Sequence, residues 1–283
     1  MEGTERLIRR SDVPKPTAKE LLLAYVAPGI LLTAGIYHHT VTLLDVLFIQ
    51  RQPSLLIDVS RFREQAFSRF WLANGEALSG DMPGELASLL KTLRGAILDI
   101  GPGSGEQLHL YTSSAPNVDA IYGAEPAEKL HAKLAIKAND AGFERKYHIL
   151  GCGAEPSSLI PALAREGLLQ DGGEGSFDEI VSIRVLCGVP DVKETAEGLY
   201  GLLRPGGRLI VMEHVICRDS IIARTLQAVY MWLGRWRFWM GGCCLDRDTE
   251  KVLREAGAWS EVELKTLNAW STIPQIVGYL VKR

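Results

Sequence analysis

The sequence predicts an α/β protein: an open, mostly parallel sheet of seven strands that ends in an antiparallel hairpin, preceded by a helical extension. Two patterns carry this. Short apolar runs at 96–100, 118–125, 146–150, 177–183, 208–214, 261–267 and 275–281 alternate with stretches of helical length such as 126–140, and such alternation builds a parallel sheet covered by helices on both faces. The last two runs are joined only by a short loop carrying Ser271 and Pro274, too short for a parallel crossover, so this pair must be antiparallel.

A third pattern stands ahead of the sheet. Residues 21–44 read LLLAYVAPGILLTAGIYHHTVTLL without a formal charge, long enough to cross a bilayer core, which needs about 20 apolar residues. The segment starts late and lacks a small-residue cleavage site, so it is not read as a signal peptide. Three readings are open: a single span, a hairpin or surface anchor, or a pair of buried helices. The flanking bases Arg6, Arg9, Arg10, Lys15 and Lys19 favour a cytosolic N-terminus, and a following sheet domain on the same side requires a hairpin bent at Pro28-Gly29. Residues 1–50 are thus expected as the hydrophobic N-terminal segment, with possible membrane association through residues 21–49. Residues 51–92 follow as a helical lid, with apolar positions at helical spacing in SRFREQAFSRFWLA and GELASLLKTL. Residues 93–283 form the sheet domain. The expected location is a cytosol-facing membrane, of endoplasmic reticulum or lipid-droplet type, or the cytoplasm.

The net charge of −3 over 283 residues gives no basic surface for nucleic acid, and none is expected as a partner. Five cysteines, Cys152, Cys187, Cys217, Cys243 and Cys244, are an odd number without CxxC spacing. They read as reduced thiols, no metal site is expected, and the vicinal Cys243-Cys244 pair shows no third ligand nearby in sequence.

The first strand runs into Asp99-Ile100-Gly101-Pro102-Gly103-Ser104-Gly105. Glycines here let a ligand approach the backbone at the strand's carboxyl end. A dinucleotide-binding turn would place its third glycine at position 106, which is Glu106. GxGxG preceded by an acid resembles instead the first motif of class I methyltransferases, whose Rossmann-like fold binds S-adenosyl-L-methionine. That cofactor carries a sulfonium and an ammonium and no phosphate, so Asp99 suits it better than an open helix N-terminus would. Glu125, in YGAEP, is placed to accept ribose hydroxyls, and Glu155, in GCGAEP, to accept the adenine amino group. LLRPGG at 202–207 completes the set. Asp99, Gly101, Gly103, Gly105, Glu125 and Glu155 are therefore the expected cofactor residues.

Val185-Leu186-Cys187, Glu213-His214-Val215 and Gly242-Cys243-Cys244-Leu245 narrow the resemblance further. Residues 95–267 resemble the methyltransferase-like seven family, membrane-associated thiol methyltransferases with an N-terminal hydrophobic anchor. The resemblance implies methyl transfer to a small apolar substrate, with thiol sulfur favoured. GPGSG in place of GCGTG, Glu125 in place of aspartate, and LAREGLLQDGGEG ahead of the fourth strand depart from the family pattern. They leave N- or O-methylation of an apolar specialised metabolite open, and a protein methyltransferase or a non-catalytic scaffold as more distant alternatives.

On the acceptor side His214, after the fifth strand, is the candidate general base, with a structural histidine as the alternative. Arg184 is a candidate substrate contact, while Cys187 reads as packing. Trp232, Trp236 and Trp239, spaced four and three apart, are expected on one side of a helix, where Trp232 and Trp236 roof an apolar acceptor pocket, dock on a membrane interface, or pack on the core.

Overall fold

A computed structural model describes residues 16–80, 82–169, 175–233 and 235–283. Arg6, Arg9, Arg10 and Lys15, on which the cytosolic orientation rests, lie outside the described residues.

Among the described residues seven strands form one sheet: β1 (Gly95–Ile100), β2 (Val118–Ala124), β3 (Tyr147–Leu150), β4 (Phe177–Ile183), β5 (Leu203–His214), β6 (Trp259–Leu267) and β7 (Gln275–Lys282). Their order is β3-β2-β1-β4-β5-β7-β6. The first five are parallel, and β7 pairs antiparallel with both β5 and β6. The fold is the predicted Rossmann-like sheet with its antiparallel end. Because β7 threads between β5 and β6, the last residues of the chain are an interior strand. The fifth strand also begins earlier than the apolar run, at Leu203, with an irregular register between Phe177 and Glu179 opposite it.

Helices α1 (Ala18–Leu44), α2 (Val59–Ser79) and α3 (Gly84–Leu90) precede the sheet. After β2, β3, β4 and β5 come α4 (Glu128–Asp140), α5 (Pro156–Arg165), α6 (Val192–Leu202) and α7 (Ile221–Trp232), and then α8 (Trp236–Trp239) and α9 (Thr249–Glu255). The connection after β1 holds no α-helix. It turns through 3₁₀ segments at Leu108–Leu110 and Thr112–Asn117, where Ser113, Ser114 and Pro116 oppose a longer helix. Two apolar clusters pack the faces of the sheet, one around Leu98, Ile180 and Val211, the other around Ile97, Val181 and Ile210. This is the alternation that the strand period requires.

The expected hairpin at Pro28-Gly29 is absent, and so is a pair of helices. Helix α1 runs unbroken through Pro28 and opens on a capping box between Thr17 and Glu20. Proline removes the N–H that would meet the Ala24 carbonyl, and Thr272 Oγ1 donates to that carbonyl instead. The next carbonyl, Tyr25, accepts the Tyr230 hydroxyl at 3.1 Å. Tertiary partners thus replace what the proline takes away. From Ala18 to Ile49 the segment is long and apolar enough to cross a membrane by length and composition. Its inner face nonetheless packs on protein, with Pro28, Gly35, His39 and Thr42 buried against α2, α7 and α8.

Candidate active site

The glycine turn leaves the carboxyl end of β1 with Gly101, Gly103 and Gly105 at φ of 57°, 61° and 82°, a left-handed region that side chains rarely adopt. Space is as limiting as conformation: a Cβ on Gly103 would lie 2.5 Å from Trp71 Nε1. Glu125, one residue past β2, accepts the Gly103 N–H on one oxygen and the Ala127 N–H on the other, both at 2.9 Å. Burial raises its carboxyl to about 7, against the pull of those two backbone donors. Each oxygen retains a lone pair, so two ribose hydroxyls can be accepted without breaking the turn. Glu155 is the N-cap residue of α5, and its carboxylate folds back over Gly153.

Asp99 is buried in β1 on the face away from Leu98, and Tyr147 donates to its Oδ2 at 3.1 Å. Tyr147 reaches it over Gly123, where a Cβ would lie 2.5 Å from the phenol oxygen. Burial pushes the Asp99 carboxyl up to about 7, and the hydroxyls of Tyr147 and Tyr111 partly offset this. Asp99 thus stands in a tyrosine network beneath the turn.

Glu106 was visible in the sequence only as an acid in a glycine's place. It is buried and accepts from Trp71 Nε1 at 3.1 Å and from the N–H and hydroxyl of Ser104. Trp71 begins a row of rings on α2. Phe67 lies 6.1 Å from Trp71 and stacks on Phe70 at 5.7 Å. Its far side faces Gly241, where a Cβ would come within 2.8 Å of the ring. The row therefore leads from the glycine turn to the segment that carries Cys243.

At the carboxyl ends of β4 and β5, Glu213 ties the strands together. It accepts from Ser182 Oγ at 2.6 Å and from the Val185 and Leu186 N–H groups at 2.9 and 3.1 Å. Arg184, at φ 60°, gives Nη1 to the Leu78 carbonyl at 2.7 Å. It thereby anchors the end of α2 to β4.

His214 ends β5 with Nδ1 3.7 Å from Cys243 Sγ. Cys187, His214 and Cys243 present three ligand-type atoms within 4.8 Å of one another. The absence of a third partner for the vicinal cysteines therefore holds only along the chain. Cys244 turns away, its Sγ on the Gly242 carbonyl, while Cys243 joins residues 56 and 29 positions earlier. The Cys187 thiol, His214 and Trp236 together hold the Cys243 sulfur below the ordinary thiol range, and Cys187 is driven upward.

The tryptophans do not share a helical side. Helix α7 ends at Trp232 and α8 starts at Trp236, after Arg235 at φ 46°, a left-handed residue that ends the helical path. Trp232 is 83% exposed, whereas Trp236 is 2% exposed and packs with Phe70, Cys187 and Cys243.

A family model described as a methyltransferase domain matches residues 63–257. The chain belongs to this methyltransferase family. Its cofactor is S-adenosylmethionine, and the glycine cradle and the spare lone pairs of Glu125 fit that molecule. Among relatives of this methyltransferase, human thiol S-methyltransferase TMT1B is 28% identical over 207 residues, covering 70% of this chain and 77% of the relative. Human thiol S-methyltransferase TMT1A is 28% identical over 191 residues, covering 66% and 70%. An O-methyltransferase family protein from Burkholderia thailandensis shares the fold at TM-score 0.52 and 12% identity, covering 89% of this chain and 72% of that one.

Proposed function

We propose that this methyltransferase moves the methyl group of S-adenosylmethionine to the thiol of a small apolar acceptor, working on a membrane surface. The observation that carries the reading is the apolar wall running from Trp71 at Gly103, through Phe67, to Cys243 and His214. An apolar wall of this kind suits an apolar molecule better than a polar polymer. Thiol sulfur is favoured because the similar TMT1A and TMT1B are named for it, and because a thiol, with a reference pKa of about 8.5, needs little help to ionise.

The bound cofactor supplies an electrophilic methyl carbon on a sulfonium. The chain's own tasks are then orientation and exclusion of water. Glu125, Glu155 and the glycine turn hold the adenosine side, with Asp99 supporting the turn from beneath. Phe67 and Trp71 present the partly exposed rings to the acceptor, with Phe70 and Trp236 buried behind them. His214 stands where the acceptor's proton must be handled, and Arg184 acts through α2 rather than by touching the acceptor.

The membrane role rests on two exposed apolar surfaces side by side. Leu22, Leu23, Val26 and Ile30 of α1 and Ile221, Ile222, Val229 and Trp232 of α7 are exposed, and the two helices meet through Tyr25, Ser220 and Tyr230. This face suits an in-plane dock into the headgroup region, which keeps the opposite face of α1 on α2.

The test is incubation of the full-length protein with labelled S-adenosylmethionine and a panel of apolar thiols, phenols and amines. Preferential labelling of thiols is expected. Labelling of phenols or amines with thiols left untouched would overturn the thiol assignment.

A further inference from the structure

We propose that Cys187, His214 and Cys243 form a zinc site whose fourth position takes the sulfur of the acceptor. The identity of the acceptor as a thiol rests on the proposed function above; the metal site rests on the geometry alone.

Two thiols from separate loops and an imidazole from the end of β5 converge with their ligand atoms inside 4.8 Å. A tetrahedral zinc ion bonds sulfur at about 2.3 Å and nitrogen at about 2.0–2.1 Å, which sets ligand-to-ligand edges of about 3.5–3.8 Å. The Cys243 Sγ to His214 Nδ1 separation of 3.7 Å already has this length. The remaining edges need to close by no more than about 1 Å. The sulfurs are well covered, with Cys187 3% and Cys243 9% exposed, so the charge balance matters. Two thiolates and a neutral imidazole around a divalent cation sum to zero, which a buried site tolerates.

The backbone already holds the ligands. Cys244 N–H donates to the Cys187 carbonyl at 2.8 Å, locking the two cysteine loops together. The Thr249 hydroxyl donates to the His214 carbonyl at 3.1 Å. Trp236 supplies a second observation. Its indole N–H is buried and has no hydrogen-bond partner within ordinary reach among the described residues, yet it lies beside the Cys243 sulfur. A metal-bound thiolate is an acceptor that rewards such a donor.

Three protein ligands leave one position open, the mark of a catalytic rather than a structural zinc site. An acceptor thiol entering that position gives its proton to solvent, and a zinc–sulfur bond forms. A lone pair of that sulfur then attacks the methyl carbon, a carbon–sulfur bond forms, and the bond from methyl to the sulfonium breaks. The electron pair of the broken bond stays on the departing sulfur, which leaves neutral, and the thioether product, a weaker ligand, dissociates. In this scheme His214 is a ligand, and the ion rather than a base acidifies the acceptor.

The test begins with the full chain reconstituted with zinc and dialysed. Plasma mass spectrometry should find about one ion per chain, and Cys187→Ser and Cys243→Ser should lose it, while Cys244→Ser keeps it. Cobalt replacement of the wild-type protein gives a readout that does not depend on the variants folding. Sulfur-to-cobalt charge-transfer bands should appear, and should change on addition of an apolar thiol. A wild-type protein that binds neither metal above the level of Cys187→Ser and Cys243→Ser would overturn the site, and an unchanged rate of thiol methylation in chelator-stripped, metal-free protein would overturn its role in the reaction. The second result would leave the thiol reading standing. Cobalt bands that appear but ignore every thiol in the panel would overturn the fourth-position assignment, and the thiol reading would then be judged by the labelling experiment alone.

Discussion

Trp71 donates its indole N–H to Glu106 across the glycine turn, 3.1 Å from nitrogen to oxygen, and Gly103 lies directly beneath that bond. The contact joins two parts of the chain with different tasks. Helix α2 carries the aromatic wall, and the turn carries the proposed cofactor contacts. A single hydrogen bond therefore couples the two halves of the site, and it closes over the place where any side chain on residue 103 would stand.

Trp71→Phe keeps the ring and removes the donor. A hydrogen bond to a charged group contributes about 1.5–3 kcal/mol, so release of labelled S-adenosylmethionine should quicken by roughly tenfold or more. Gly103→Leu should abolish binding altogether, with a circular dichroism spectrum like that of the parent. Release at the parent rate from Trp71→Phe would show that the latch does not cover the cofactor.

Asp99→Ala removes the acceptor for the buried hydroxyl of Tyr147. An orphaned buried group costs about 1–3 kcal/mol, so the midpoint of urea unfolding should fall accordingly. Asp99→Asn, which still accepts a hydrogen bond, should recover most of that loss. Equal stability of the parent and Asp99→Ala would remove the network from the account of the turn.

Glu125 gives the site a pH dependence with a definite sign. Its folded value of about 7 lies above the ordinary 4.5, so the folded chain holds the proton more tightly than the unfolded chain does. The stability that this contributes is complete below about pH 4.5 and is lost as pH rises through about 7. Asp99 is raised in the same direction. In the proposed assignment ribose hydroxyls donate to the ionised carboxylate, so cofactor affinity runs the other way. The Kd for S-adenosylmethionine should fall roughly tenfold from about pH 6 to about pH 8. Glu125→Gln should flatten this profile in calorimetry.

Trp232 and Trp236 should separate cleanly by experiment. Trp232→Ser with Leu233→Ser removes exposed apolar surface and should weaken flotation of the protein with phospholipid vesicles, leaving cofactor affinity unchanged. Trp236→Ala opens a cavity in the packed cluster, at a cost of about 3–5 kcal/mol, and should impair acceptor use with vesicle binding retained. The reverse pattern would place the membrane face elsewhere.

By itself the sequence determined the elements whose signals are local. The strand runs, the short loop carrying Pro274 and the GxGxG turn depend on residues within a few positions of one another, because a strand's period and a turn's φ angles are set by immediate neighbours. Glu125 belongs with them, since it stands at the end of a strand whose length is readable. Tertiary structure decided whatever depended on residues far apart meeting in space. Pro28 frees the Ala24 carbonyl, and Thr272, 248 positions from Ala24, pairs it and lets α1 run on. Cys243 has no partner along the chain, yet the carboxyl ends of β4 and β5 bring Cys187 and His214 to it. Spacing alone put Trp232 and Trp236 on one helical side, and the left-handed turn at Arg235 parted them. Local geometry propagates over only a few residues, whereas the sheet order β1-β4-β5-β7 that assembles the acceptor side is a property of long-range burial.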